Sequence, residues 1–189
     1  MRIIITGTPG TGKTTLAKAL AAKLGCALLD VNKIAVQNKL YKKQKGIAEK
    51  IVDLKKLAAK IRRLAAREKN FVAEGHLACE FFIPCEFVVV LRCNPNTLEK
   101  RLASRKYPAK KVEENVMAEM LDYCLLKTEA NYPAGKTKII QIDATKFVPP
   151  GQVLRHAARG KSDFVDWMPI LQKRLAARAV NDHGPRKVS

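Results

Sequence analysis

The sequence predicts an α/β protein in which a parallel sheet is covered by helices on both faces. Three observations carry this expectation. Apolar runs at residues 1–6, 27–30, 71–73, 87–91 and 139–142 alternate with segments whose apolar residues recur at helical spacing, and that alternation builds crossover connections. The run Phe87-Val88-Val89-Val90-Leu91 is apolar throughout, as a central strand buried on both faces requires. The first run passes directly into GTPGTGKTT at residues 7–15, a glycine-rich turn between a strand and a helix.

The elements follow in order. Residues 1–6 read as a buried strand. Leu16, Ala17, Leu20, Ala21 and Leu24 recur at helical spacing, and Gly25 is placed as a C-cap. Ala27 to Asp30 reads as a second strand, and Asn32 as the cap of a helix over 33–39. Residues 42–45 read as a polar loop. Ile51, Leu54, Leu57, Ala58, Ile61, Leu64 and Ala65 form one apolar stripe, with Lys55, Lys56, Lys60, Arg62, Arg63 and Arg67 off it, predicting an amphipathic helix with a basic outer side. A third strand, 71–73, runs into Glu74-Gly75-His76. After the fourth strand, Pro95 opens a helix running to Ser104. Residues 105–111 read as a short basic loop, 112–131 as one helix and 139–142 as the fifth strand. Pro149 and Pro150 read as a break, 164–180 as a helix around Trp167, and the last residues as frayed.

Composition bounds the class. A chain of 189 residues, 47% hydrophobic, suits one α/β domain with small insertions. No apolar run reaches the length of a membrane span, and the first residues enter a strand, so no signal peptide is expected. Cys26, Cys79, Cys85, Cys93 and Cys124 are odd in number and lack a Cys-x-x-Cys pair; buried thiols in a reducing cytoplasm are expected, and a zinc site is not. The formal net charge of +19 draws the chain toward polyanions.

The glycine-rich turn carries the chemistry. Gly7-x4-Gly12-Lys13-Thr14 has the spacing of a phosphate-binding loop. Glycines at 7, 10 and 12 let backbone N–H groups point inward at phosphate oxygens. Gly10, Thr11, Gly12, Lys13, Thr14 and Thr15 are therefore the expected nucleotide-binding residues. Lys13 reaches the β and γ phosphates, Thr14 offers a hydroxyl to Mg2+, and the following helix adds its positive end. Glu74 falls at the carboxyl end of a strand that should neighbour the first, facing the loop across the crevice; it is expected to act through Mg2+-bound water or to orient a nucleophile. His76 is a candidate for moving a proton or holding water. Arg101 and Arg105, four apart on one helix, share a face and can neutralise a transferring phosphate. Arg92 is expected in the same crevice. Lys146, in the loop after the fifth strand, is expected beside the nucleotide base.

Together these pieces resemble the nucleoside monophosphate kinase superfamily of P-loop NTPases. Within it they are most similar to the adenylate kinase isoenzyme 6 family, the nuclear and archaeal ribosome-assembly type. The segments that carry the resemblance are ITGTPGTGKTT, AEGHLACEFF, VVVLRCNPNTLEKRLASRKYPAKKVEENVMAEML and IIQIDATK, spanning most of residues 1–146. The resemblance implies five parallel strands in the order 2-3-1-4-5. It implies a kinase core over 1–146, a monophosphate-binding insertion at about 31–67, a lid at about 105–112 and a helical extension over 147–189. It implies conversion of ATP and AMP to two ADP, ATP hydrolysis, and assistance to small ribosomal subunit maturation with a ribosomal protein as partner. The family's Asp-x-His motif falls on Glu74 and His76, and its arginine pair on Arg101 and Arg105. The insertion departs from the family's acidic pattern: LYKKQKGIAEKIVDLKK carries only Glu49 and Asp53.

Three functions stay open on the sequence. The chain is a small nucleotide kinase using ATP, AMP and Mg2+, or an assembly ATPase that grips a ribosomal protein and rRNA through its basic surface, or a kinase of a small non-nucleotide metabolite. A cytoplasmic location is expected, nuclear in a eukaryote.

Overall fold

The computed structural model describes residues 1–42 and 51–182. Its centre is a parallel sheet of five strands: β1 (Arg2–Thr6), β2 (Ala27–Asp30), β5 (Phe71–Glu74), β6 (Phe87–Arg92) and β7 (Lys138–Asp143), in the order β2-β5-β1-β6-β7. In terms of these five strands alone, the order is the expected 2-3-1-4-5. Ile3, Ile4 and Ile5 are fully buried because β1 is central and helices cover both its faces. On one face Leu16, Ala17 and Leu20 of α1 (Lys13–Leu24) pack with Val72, Val89 and Ile140. On the other, α2 (Val31–Gln37), α3 (Leu54–Ala65) and α6 (Tyr123–Asn131) cover Ile4, Phe71, Ala73, Val88 and Val90.

Several local expectations are corrected. Asn32 does not cap α2; Asp30 does, accepting from the Lys33 amide at 2.8 Å, which frees the Asn32 side chain for another contact. Ile51 lies outside α3, in a two-residue strand β4 (Ile51–Val52) antiparallel to β3 (Tyr41–Lys42), because Asp53 caps α3 and starts it at Leu54. The loop expected over 42–45 falls mostly outside the described residues, as do Glu49 and the end expected to fray. The basic loop over 105–111 is shorter, since α5 (Ala109–Met120) begins straight after Pro108.

The single helix expected over 112–131 is two. The chain turns at Asp122, whose φ of 54° lies in the left-handed region, which aspartate tolerates better than most residues. Arg92 explains the break: its guanidinium donates to the Glu119 carbonyl at the end of α5 and to the Asp122 carboxylate. A cation there satisfies carbonyls that a helix leaves open.

Pro149 and Pro150, expected as a break, stand at the start of a helix. Pro150 occupies the first turn of α7 (Pro150–Arg159), where a missing N–H costs nothing, and Gly160 closes the helix. Val153 and Ala157 bury against the α1 side of the sheet. The last helix, α8 (Met168–Asp182), starts after Trp167 rather than at Phe164. It joins α5 and α4 (Pro95–Ser104) in a smaller core of Leu98, Leu102, Val116, Met120 and Leu171, with Trp167 at its edge. Pro95 opens α4 behind an Asn94 cap, as expected. Cys79, Cys93 and Cys124 are buried, whereas Cys26 and Cys85 are half-buried; all five are free thiols. Among the described residues no helix is long and apolar enough to cross a membrane.

A candidate nucleotide site at the phosphate loop

The carboxyl end of β1 and the start of α1 frame residues 7–12. Two glycines here are set by close approach and by backbone conformation. A Cβ on Gly7 would stand 2.4 Å from the Leu91 carbonyl oxygen, and one on Gly10 would stand 2.8 Å from Leu98. Both have positive φ, 136° and 94°, which other residues adopt at a cost. The loop thus lies directly on β6 and α4, with its backbone turned to the carboxyl edge of the sheet, where ligands bind in open α/β folds.

Lys13 opens α1 and is buried. Its ammonium donates to the Thr8 carbonyl at 2.8 Å, and the Thr11 hydroxyl donates to the same carbonyl at 3.0 Å. Burial pushes the Lys13 pKa down; nearby Cys124, Glu74 and Glu119 counter this. Thr14, next in the chain, donates its hydroxyl to Glu74 Oε1 at 3.0 Å. Glu74 ends β5, which pairs directly with β1, so the register sets its carboxylate beside the first turn of α1. Burial raises the Glu74 pKa, and the hydrogen bond from Thr14 opposes that rise.

His76 begins a single 3-10 turn after β5. Its Nδ1 lies 3.1 Å from the Asn32 amide nitrogen. Burial, then the Lys13 ammonium, lowers its pKa, so the ring is neutral at pH 7 with Nδ1 accepting from Asn32. Asn32 Oδ1 is buried and without a partner among the described residues. Nothing local in the chain marks Asn32, 44 residues away, as the neighbour of His76.

A cavity of about 330 Å3 opens on the other flank of the loop. Gly10, Thr11, Gly12 and Thr15 line it together with Arg101, Arg105 and Lys146, so seven of the expected residues meet in one place. The arginines come from the end of α4, and Lys146 from the loop after β7. Arg101 also braces that loop, donating to the carbonyls of Ala144 at 3.0 Å and Thr145 at 2.8 Å. Phe147, 76% exposed, lines the same cavity and escaped the sequence reading; as an aromatic directly after Lys146 it carried a usable signal. Arg92 is a correction. It is 2% exposed and faces away from the cavity into an ion pair with Glu119 at 2.9 Å and a hydrogen bond to Gln141 at 2.8 Å, because the chain needs a cation to join α5 to the sheet.

This sheet order, with the glycine loop and its facing carboxylate, defines a P-loop NTPase fold. Solved structures bear out the fold: a shikimate kinase from Bacteroides thetaiotaomicron matches with a TM-score of 0.54 at 20% identity, over 84% of this chain and 95% of that one. A sugar kinase from Janibacter sp. HTCC2649 matches with a TM-score of 0.51 at 19% identity, over 84% and 92%. The AAA_18 family profile, an AAA domain, matches residues 3–122. A Methanocaldococcus jannaschii protein described as "Putative adenylate kinase" is 38% identical over 146 residues, 77% of each chain. Proteins of the same description from Pyrococcus furiosus and Thermococcus kodakarensis are each 33% identical over 185 residues, covering 92% and 93% of this chain and 94% and 97% of theirs. The chain belongs to the family of these archaeal proteins, within the nucleoside monophosphate kinase superfamily.

Proposed function

We propose that the protein transfers the γ-phosphoryl group of ATP to AMP, yielding two ADP, and hydrolyses ATP slowly at the same site. The observation that carries this reading is the 3.0 Å contact between Thr14 and Glu74 at the mouth of the phosphate loop. AMP as acceptor is supported by the description of the archaeal relatives.

In this reading Gly10, Thr11, Gly12 and Thr15 present backbone and hydroxyl donors to the phosphates, and Lys13 leaves the Thr8 carbonyl to meet them. The Thr14 hydroxyl and Glu74 carboxylate are oxygens of the hard kind that Mg2+ takes, so the pair fits that ion, with Glu74 reached through water. When bound with ATP, Mg2+ supplies neutralisation of charge across the β and γ phosphates. Arg101 and Arg105 stabilise charge that grows during transfer. His76, neutral and held by Asn32, orients the incoming group. Arg105 and Lys146 border the base. The segments at about 31–67 and 105–112 act as the acceptor-binding insertion and the lid, and the lid closes to exclude water.

A second reading, an assembly ATPase, is favoured by α3. Lys55, Lys56, Lys60 and Arg63 lie on α3, and Lys56, Lys60 and Arg63 border a cavity of about 470 Å3 with Asn38, Leu40 and Ala59. A helix face of this charge suits the phosphates of rRNA, alongside a small-subunit ribosomal protein. The chain would then work in the cytoplasm, on ribosomal particles.

The test is a monophosphate panel. Protein with Mg-ATP and each nucleoside monophosphate is followed by separation of the nucleotide products. AMP-dependent ADP in excess of released phosphate is expected. Phosphate release that ignores AMP would favour the assembly ATPase, and inactivity on every nucleotide would sink both readings.

A further inference from the structure

The Glu119 carboxylate, 2% exposed, collects four donors from three parts of the chain. Arg92 Nε reaches Oε1 at 2.9 Å, the Cys93 amide at 3.1 Å and Trp167 Nε1 at 3.2 Å. Oε2 receives the Thr8 hydroxyl at 2.6 Å. Neutralising Arg92 needs only the first of these. The shortest bond goes instead to the phosphate loop, at the residue whose carbonyl gathers the Lys13 ammonium and the Thr11 hydroxyl. The position of Thr8 therefore sets where the Lys13 ammonium waits.

We propose that Glu119 is a positioning residue for the phosphate loop, and that it links the loop to the C-terminal segment through Trp167. The inference rests on the reading of this loop as an ATP site. Its mechanical sense follows from the chain: α5, which carries Glu119, begins immediately after the 105–108 loop, and Trp167 sits just ahead of α8, which packs on α5. A buried charge bonded on four sides moves as one body with its donors. A shift of Lys13 and Thr8 onto a triphosphate pulls on Glu119, and the indole registers the pull. Trp167 is the only tryptophan in the chain, so its emission reports this link without a label.

The experiment uses the full chain, with Thr8→Val, Thr8→Ser and Trp167→Phe. Thr8→Val removes the hydroxyl but keeps the Arg92–Glu119 ion pair, so a merely structural Glu119 would not respond. Mg-ATP binding is measured by calorimetry, tryptophan emission is followed on addition of Mg-ATP, and melting is recorded for each variant. In the wild type, Mg-ATP changes the emission. Thr8→Val weakens Mg-ATP binding about tenfold, the size expected for one hydrogen bond to a charged group, and loses the emission change. Thr8→Ser restores both. Trp167→Phe, which keeps the ring but not the donor, weakens binding by about threefold.

Thr8→Val with wild-type affinity and a wild-type emission response would overturn the positioning role. Should Thr8→Val melt below the assay temperature, Trp167→Phe decides: unchanged Mg-ATP affinity overturns the link. A wild-type protein that does not bind Mg-ATP at all overturns the ATP reading itself, and this inference with it.

Discussion

Thr14, on the first turn of α1, donates its hydroxyl to Glu74, on the last residue of the neighbouring strand, at 3.0 Å. The two are 60 residues apart in the chain, and parallel pairing of β1 with β5 brings them together. Replacing Glu74 with Gln keeps the size and the acceptor but removes the charge. We expect kcat to fall by about a hundredfold while Mg-ATP affinity stays within about threefold. Steady-state rates and calorimetry check this; unchanged turnover would remove Glu74 from the mechanism.

Lys13 separates function from stability. Its pKa is lowered by burial, so at neutral pH the folded state carries a cost for keeping the ammonium charged. That cost vanishes only once both states are deprotonated, above the ordinary lysine value. Lys13→Met should therefore lower turnover by about a thousandfold without lowering the melting temperature. A variant that melts well below wild type would make Lys13 a structural residue.

His76 gives a pH prediction. Its folded pKa lies below its ordinary value of 6.5, through burial first and the Lys13 charge second. The neutral ring then contributes stability that is complete above 6.5 and is lost as pH falls through the folded value. An NMR titration of the imidazole should show a midpoint below 6.5. Asn32→Ala, which removes the donor to Nδ1, should move that midpoint upward. A wild-type midpoint at or above 6.5 contradicts the assignment.

The Arg92–Glu119 pair is buried on both sides, each residue 2% exposed. Removing one partner strands a charge, so Arg92→Met should cost about 3–5 kcal/mol in urea unfolding. The double variant Arg92→Met, Glu119→Met should recover part of that loss, because neither charge is then left alone. Equal losses in single and double variants would argue against the pair as the source.

For the basic helix, charge reversal at Lys56, Lys60 and Arg63 tests the second reading. Retention on rRNA should weaken, and the slope of log affinity against log salt should shrink by roughly 2, three lost phosphate contacts at about 0.7 each. An unaltered slope would mean that this face does not touch RNA.

Much of this was legible in the chain. The five strands form within two residues of the predicted runs, because each has a short apolar stretch, continuous in β6 and interrupted by polar residues in the edge strand β7. The phosphate loop was legible because its requirements are local: glycines where a Cβ would strike Leu91 or Leu98, then Lys and Thr at the helix start. Arg101, Arg105 and Lys146 line one cavity with the loop, the arginines from the end of α4 and the lysine from the loop after β7. Helix ends were less legible. The break at Asp122 depends on Arg92, 30 residues earlier, and no periodicity in 112–131 records it. Pro149 and Pro150 read as a break because proline both ends helices and begins them, and here they begin one.

By itself the sequence determined the alternation of strands and helices, the phosphate loop and the excess of positive charge, because each is written in neighbouring residues. Only the tertiary structure decided which distant groups meet. It turned Arg92 from the crevice into the core, gave Asn32 to His76 instead of to a helix end, and gathered Thr8, Arg92 and Trp167 on Glu119. The physical reason is that a buried charge or amide must find partners wherever packing brings them, and those partners lie far away in the chain.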